Sequence, residues 1–276
     1  MLPVVDDFGG LRGVLYRTDL VALMTRNLRP PNVGGMATPL GVYLTTGTVS
    51  GGSGSFGLYL TGLTMGLMML ISKFIGEGMM LSLQSQITRK LPALVKIYSS
   101  YGIYSIGSAA LSIILLMLLL KLSPLAGYHG AEHMTVHAIE SGEDLTVEAV
   151  RRYPRIHPRC GTNLLGAAAV FILITSQFSG EVAVIVAIGV VMLGRRAIGD
   201  WMQNVFTTRK PSDSQLASGV AAGNELLDKY LLHPGRITTG FPRIWKMGFL
   251  QAAAGMTTVL AIVYIIERLT HKSLLL

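Results

Sequence analysis

Four stretches of the chain are apolar for long enough to meet a hydrocarbon core of ~30 Å at ~1.5 Å per helical residue. They predict spans at about 56–75, 103–121, 164–194 and 248–266. The first ends in Lys73-Phe-Ile-Gly76 and carries Gly62 and Gly66 as G-x-x-x-G, a spacing that lets helix backbones approach closely. That pair would serve a homo-oligomer contact, or be glycine simply tolerated in a membrane helix. The second holds no charge through Ile113-Ile-Leu-Leu-Met-Leu-Leu-Leu120 and stops at Lys121 and Pro124. The third, Leu164 to Gly194, would be about 46 Å long as one helix. Its centre reads Ser176-Gln-Phe-Ser-Gly-Glu181, turn chemistry plus a carboxylate that is costly at mid-membrane. It is read as a hairpin of two short arms, the alternative being one tilted helix with Glu181 inside the bundle. The fourth is flanked by Lys246 and Arg268.

Between the spans the pattern changes. Met79 to Tyr101 is only modestly apolar, with Arg89, Lys90 and Lys96, and predicts an interfacial helix broken near Pro92. Ser212-x-x-Gln215 after Pro211 is a capping box. Leu216, Val220, Leu227 and Tyr230 then give an amphipathic helix one apolar face, closed by Leu231-Leu-His-Pro-Gly235. Asp6, Asp7, Arg12, Arg17, Asp19 and Arg26 interrupt any apolar core in the first 30 residues, so no secretory signal is expected there. The fold class expected is all-α, a single polytopic membrane domain over 1–276.

Composition agrees. Half of the 276 residues are hydrophobic and 14% are charged, against about 25% in soluble domains, which excludes disorder and argues against an ordinary cytosolic enzyme. The net charge of +8 marks loops facing a negative compartment rather than a nucleic-acid footprint. With the hairpin, the N-terminal segment, Gly127–Asn163 and Arg195–Lys246 share one side and hold sixteen Lys+Arg, against five on the other. The richer side is expected to be cytoplasmic, in a multi-pass plasma-membrane protein. Cys160 is the one cysteine, so no disulfide forms within the chain.

Four of six histidines fall between positions 129 and 157, a window that also holds Cys160's neighbourhood and a third of the acids. On a helix at ~100° per residue, His129, Glu132, His133, His137 and Glu140 fall within an arc of about 140°, while Ala131, Met134 and Ala138 lie opposite. His129 and His133 at i, i+4 can grip one metal ion, and Glu132 completes H-x-x-E-H, the inverted zincin order, in which the glutamate is general base toward water. His157 and Cys160, at i, i+3 in a segment fixed by Pro154 and Pro158, add an imidazole and a thiol that both suit zinc. Zinc or another divalent transition metal is therefore expected. The plain alternative is a membrane-boundary loop with Arg155 and Arg159 at headgroups. His137 is as easily solvated, His233 reads as a turn residue, and His271 lies in the tail. Asp200 can pair with Arg195-Arg196, and Arg209-Lys210 reads as a basic turn. Haem is disfavoured, because His129 and His133 on one face cannot take opposite axial positions.

Tyr128-His-Gly-Ala-Glu-His133 followed by His157-Pro-Arg-Cys-Gly-Thr162 resembles the YqhQ-like bacterial integral-membrane family, a domain of unknown function often labelled a predicted metal-dependent enzyme. Thr207-Thr-Arg-Lys-Pro-Ser-Asp213 looks like that family's T-T-R-x-P segment. The resemblance runs from Gly34-Gly35 to about Leu232 and implies roles for His129, Glu132, His133, Glu140, His157 and Cys160, but not for His137. Two departures stand out: Leu40 where the family usually has glutamate, and Met134 where lysine is common.

Three functions are compatible with these residues. The first is a membrane hydrolase at the cytoplasmic face, with His129 and His133 as ligands, His157 or Cys160 completing three, Glu132 as base, and Glu140 as ligand or orienter. The second is a scaffold or assembly factor in which His129, His133, His157 and Cys160 form a closed structural site. The third is a transporter using Glu181. The bilayer is the one partner expected besides a second copy.

Overall fold

The computed structural model describes residues 2–16, 28–90, 103–178, 180–232 and 236–270. The region around Pro92, His233 and His271 lie outside them. The described chain is mostly helical, and four helices are long and apolar enough to cross a membrane: Gly54–Lys90, Tyr104–Leu122, Glu181–Thr207 and Phe249–Thr270. These mark a membrane protein.

In chain order the helices are α1 (Gly54–Lys90), α2 (Ile103–Leu122), α3 (Pro124–Glu140), α4 (Val147–Val150), α5 (Gly161–Gln177), α6 (Glu181–Met202), α7 (Asp213–Leu232), α8 (Phe241–Met247) and α9 (Phe249–Thr270). A π-turn, Gln203–Thr207, continues α6. The helix α1 does not stop at Lys73: Lys73 pairs with Glu77 one turn later at 2.6 Å, and Gly76 lies against Ser112 of α2. Met79–Lys90 is therefore the end of α1 rather than a separate interfacial helix. The third apolar stretch breaks at Phe178–Gly180, where Gly180 has φ 99°. Its second arm is not short, since α6 has 22 residues. Glu181 opens α6, where a carboxylate faces the positive helix end, rather than sitting in a helix middle.

Gly62 and Gly66 face α9 of the same chain. A Cβ on Gly62 would come within 1.7 Å of the Ala252 carbonyl oxygen, and one on Gly255 within 2.0 Å of the Tyr59 oxygen. The small-residue face assigned to a homo-oligomer contact is occupied within the chain.

The all-α expectation needs correction. Strands β1 (Leu2–Val5) and β2 (Leu11–Leu15) form an antiparallel hairpin, and β3 (Gly34–Thr38), β4 (Gly41–Thr45) and β5 (Ser50–Gly52) form an antiparallel sheet in that order. These strands have three to five residues, several of them glycine, so alternation cannot be seen in the sequence. Tertiary burial holds them: all five residues of β4 are buried. Val42 and Leu44 share a core with Ala131, Met134, Ala138 and Ile139 of α3 and Leu216, Ala222 and Leu226 of α7. The capping box forms as expected, Ser212 N donating to Gln215 Oε1 at 3.0 Å and Gln215 N to Ser212 Oγ at 3.3 Å.

This helix–sheet layer gathers one end of every apolar helix. Thr61 of α1 donates to the Ala37 carbonyl at 3.1 Å, and the Tyr43 hydroxyl to the Lys246 carbonyl at 2.7 Å, just before α9. Lys121 at the end of α2 donates to the Thr208 carbonyl at 2.7 Å. His157 N, just before α5, donates to Gln203 Oε1 at 2.8 Å, just after α6. Residues 124–160, 203–232 and 236–248 therefore lie at the same end of the described structure.

Candidate metal centre

Helix α3 starts cleanly because Pro124 stands in its first turn, where the missing N–H costs nothing. Ala131, Met134 and Ala138 go to the core, which turns His129, Glu132 and His133 toward β3, the π-turn and the loop before α5. Glu132 is 6% exposed and His133 3%. Such groups are rarely left inside without a purpose, since burial disfavours their charged forms.

Both imidazoles are oriented by backbone. His129 Nδ1 donates to the Thr207 carbonyl at 2.9 Å, and His133 Nδ1 to the Arg155 carbonyl at 2.7 Å. This fixes the tautomer and turns each Nε2 away from the backbone, toward the cluster, the arrangement metal-binding histidines use. Cys160 Sγ lies 3.3 Å from His129 Nε2 and 3.0 Å from the Thr162 hydroxyl. One ligand atom from each of His129, His133 and Cys160 lies within 4.8 Å of the others. Two nitrogen donors and a sulfur donor at this spacing fit a zinc-class ion after a contraction of about an ångström, given bonds of ~2.0–2.3 Å. Burial pushes the Cys160 thiol up, so it rests as the neutral thiol and would have to lose its proton to bind an ion. Burial and the neighbouring histidines hold His133 well below its ordinary value, in the neutral form a ligand needs.

Glu132 Oε2 is 3.9 Å from His129 Nε2. Burial, against the pull of His129, raises its carboxyl to about 7. Strand β3 can lie on this carboxyl because position 35 is glycine: a Cβ there would sit 2.7 Å from Glu132 Cγ and from the Tyr43 carbonyl oxygen.

His157 and Glu140 do not join the group. His157 Nε2 is 3.5 Å from Glu140 Oε2, and Glu140 also pairs with Arg159. The His157 ring lies 5.7 Å from that of His133 and 4.6 Å from that of His137. His137 is not solvated; Nε2 donates to the Ile156 carbonyl at 2.9 Å and the ring stacks on Tyr153. Asp200 lies 4.0 Å from Arg196. Leu40 is 57% exposed in the β3–β4 turn, and Met134 is buried in the core, so neither departure removes a group from the cluster.

Two contributors escaped the sequence reading. The carbonyl of Thr207 orients His129. The Gln203 side chain clamps the backbone of His157, accepting from its N–H at 2.8 Å and donating to its carbonyl at 3.1 Å. A glutamine completely buried at the end of an apolar helix was the available signal.

The cluster lines a cavity of about 550 Å³. His129, Glu132, His133, His157, Cys160 and Arg159 line it together with apolar residues that include Met65, Leu120, Leu125, Leu165 and Phe249.

Apolar helices gathered at one end by a small helix–sheet layer, in which α3 and the following loop bring a His–His–Cys cluster beside a buried carboxylate, define the class of protein. The family model described as a protein of unknown function (DUF1385) matches residues 55–196, just over half of the chain, and the chain belongs to that family. It is also 27% identical over 128 residues to the "Uncharacterized protein YqhQ" of Bacillus subtilis (strain 168), covering 36% of this chain and 39% of that protein. The match thus spans about two fifths of the relative's length. No solved structure matches the chain.

Proposed function

We propose that this protein is a membrane hydrolase that works at the cytoplasmic face, with His129, His133 and Cys160 holding a zinc-class ion and Glu132 acting as general base. The observation that carries the reading is a three-donor cluster, with both Nδ1 atoms committed to carbonyls, beside a buried carboxylate in a cavity. Three protein donors are the number found at catalytic sites, and structural sites close with four. The closed-site scaffold needed His157 as the fourth, and that imidazole faces Glu140 instead. A bound divalent ion supplies Lewis-acid polarisation and makes water a better nucleophile near neutral pH.

The chain's own residues do the remainder. Thr207 and Arg155 carbonyls keep the two imidazoles turned to the cavity. The Thr162 hydroxyl, 3.0 Å from Cys160 Sγ, would donate to that sulfur as a thiolate. Glu132 takes a proton from water on its Oε2 side and returns it to the leaving group; a carboxyl near pH 7 suits both transfers. Position at the cytoplasmic face is supported by the sixteen Lys+Arg assigned to the side that carries 124–160 and 203–248.

The test is Glu132→Gln, which keeps shape and removes the base. The variant should retain one zinc per chain by elemental analysis, melt with wild type, and lose activity by ~10²–10⁴-fold, read as failure to complement a deletion strain. Full complementation by Glu132→Gln rejects the mechanism, as does undiminished zinc in His133→Ala.

A further inference from the structure

The cavity is built from both the extramembrane layer and the membrane helices. Its apolar walls come from Met65 on α1, Leu120 in the last turn of α2, Leu165 near the start of α5, and Phe249 at the start of α9. These helix ends converge beneath α3, so the cavity lies where the apolar helices leave the bilayer. Leu165 is 66% exposed and Phe249 61%, yet both line the cavity. The cavity therefore opens outward between exposed apolar side chains at the ends of apolar helices, the lining a lipid-facing mouth would have. Its volume, about 550 Å³, is within the ~300–1,000 Å³ range of small-molecule sites. A water-soluble substrate would leave that wall without a partner. An amphiphile matches a lining that is mostly apolar but holds one polar cluster.

We infer that the substrate is an acyl lipid of the bilayer. Its chain lies along Met65, Leu120, Leu165 and Phe249, and its head reaches Glu132 and the His129–His133–Cys160 group. This rests on the hydrolase reading for what happens at the head, while occupancy by the chain is measured separately.

The experiment uses the full-length protein in nanodiscs containing phosphatidylethanolamine with a diazirine on one acyl chain. After photolysis, crosslinked residues are mapped by mass spectrometry and zinc is measured on the same sample. Crosslinks are expected at Met65, Leu120 and Leu165. Met65→Trp and Leu165→Trp, which fill the cavity, should lower that yield by about tenfold, the effect of one overfilled contact. Ile172→Trp, also exposed on α5 but outside the cavity, should leave it unchanged. Mapping of the wild type needs no variant to fold. Labelling confined to outward residues such as Ile172, or cavity labelling that survives both filling variants, overturns the inference even if zinc is present. Cavity labelling in protein that holds no zinc upholds it and removes the metal reading alone.

Discussion

Replacing Gln203 by Leu tests whether the centre is assembled by contacts outside its donors. The side chain is completely buried and makes three hydrogen bonds: from His157 N at 2.8 Å, to the His157 carbonyl at 3.1 Å, and to Asn163 Oδ1 at 2.6 Å. Leucine fills similar space but leaves the His157 N–H without a partner, while the His157 carbonyl keeps only the Cys160 N–H. A buried polar group left alone costs ~1–3 kcal/mol, and Asn163 is near enough to solvent to recover its share, so the expected loss is about 1–3 kcal/mol. By the usual scaling for large domains, that is roughly 3–10 °C in Tm, read by heating the detergent-solubilised protein. The same loss frees the turn closed by Cys160 N on the His157 carbonyl at 3.2 Å, which sets Cys160 against His129. Zinc affinity, from competition with a chromophoric chelator, should drop ~10–100-fold, as when groups supporting metal ligands are removed. A Gln203→Leu protein that melts within about 2 °C of wild type and binds zinc equally well refutes the reasoning.

Two further outcomes follow from the same region. Burial, with His137 nearby, lowers His157 to about 4, so the folded state refuses a proton that the unfolded chain takes up near ~6.5. The stability advantage of wild type over His157→Asn, whose Oδ1 replaces Nδ1 as acceptor for Arg159 N–H, should be full above ~6.5 and shrink as pH falls toward 4; a difference that stays flat over that range counts against it. For topology, single cysteines at exposed Ser141 and Thr239, in a Cys160→Ser background, should both react from the cytoplasmic side, and labelling from opposite faces would sink the assignment.

The membrane helices were legible because hydropathy adds over twenty residues and needs no partner. The histidine helix was legible because i, i+4 spacing places two side chains together whatever surrounds them. What a helical wheel discards is rise. His129 and His133 are one turn apart, but Glu140 is about 16 Å along the axis from His129, too far for the two to meet at one point. The loop from His157 to Cys160 runs beside that axis, so Cys160 meets His129 and His157 meets Glu140. Residue type grouped all five; distance along α3 separates them. The sheet was illegible for another reason. Its strands have little propensity of their own and exist because α3 and α7 bury them. That burial also determines where Gly35 must be, and hence how Glu132 is covered.

The π-turn at 203–207 explains why one membrane helix is tied to both halves of the centre. Thr208 N bonds back to the Gln203 carbonyl at 2.9 Å, five residues earlier, adding a residue to the last turn of α6. Such turns recur at functional sites because the extra residue re-aims groups that a regular helix would place elsewhere. Here it presents the Thr207 carbonyl to His129 and the Gln203 amide to His157. The first contact orients a donor on α3, and the second holds the loop that carries Cys160. One membrane helix thus touches both parts of the cluster, α3 through His129 and the loop through His157, and that same loop supplies the Arg155 carbonyl that orients His133.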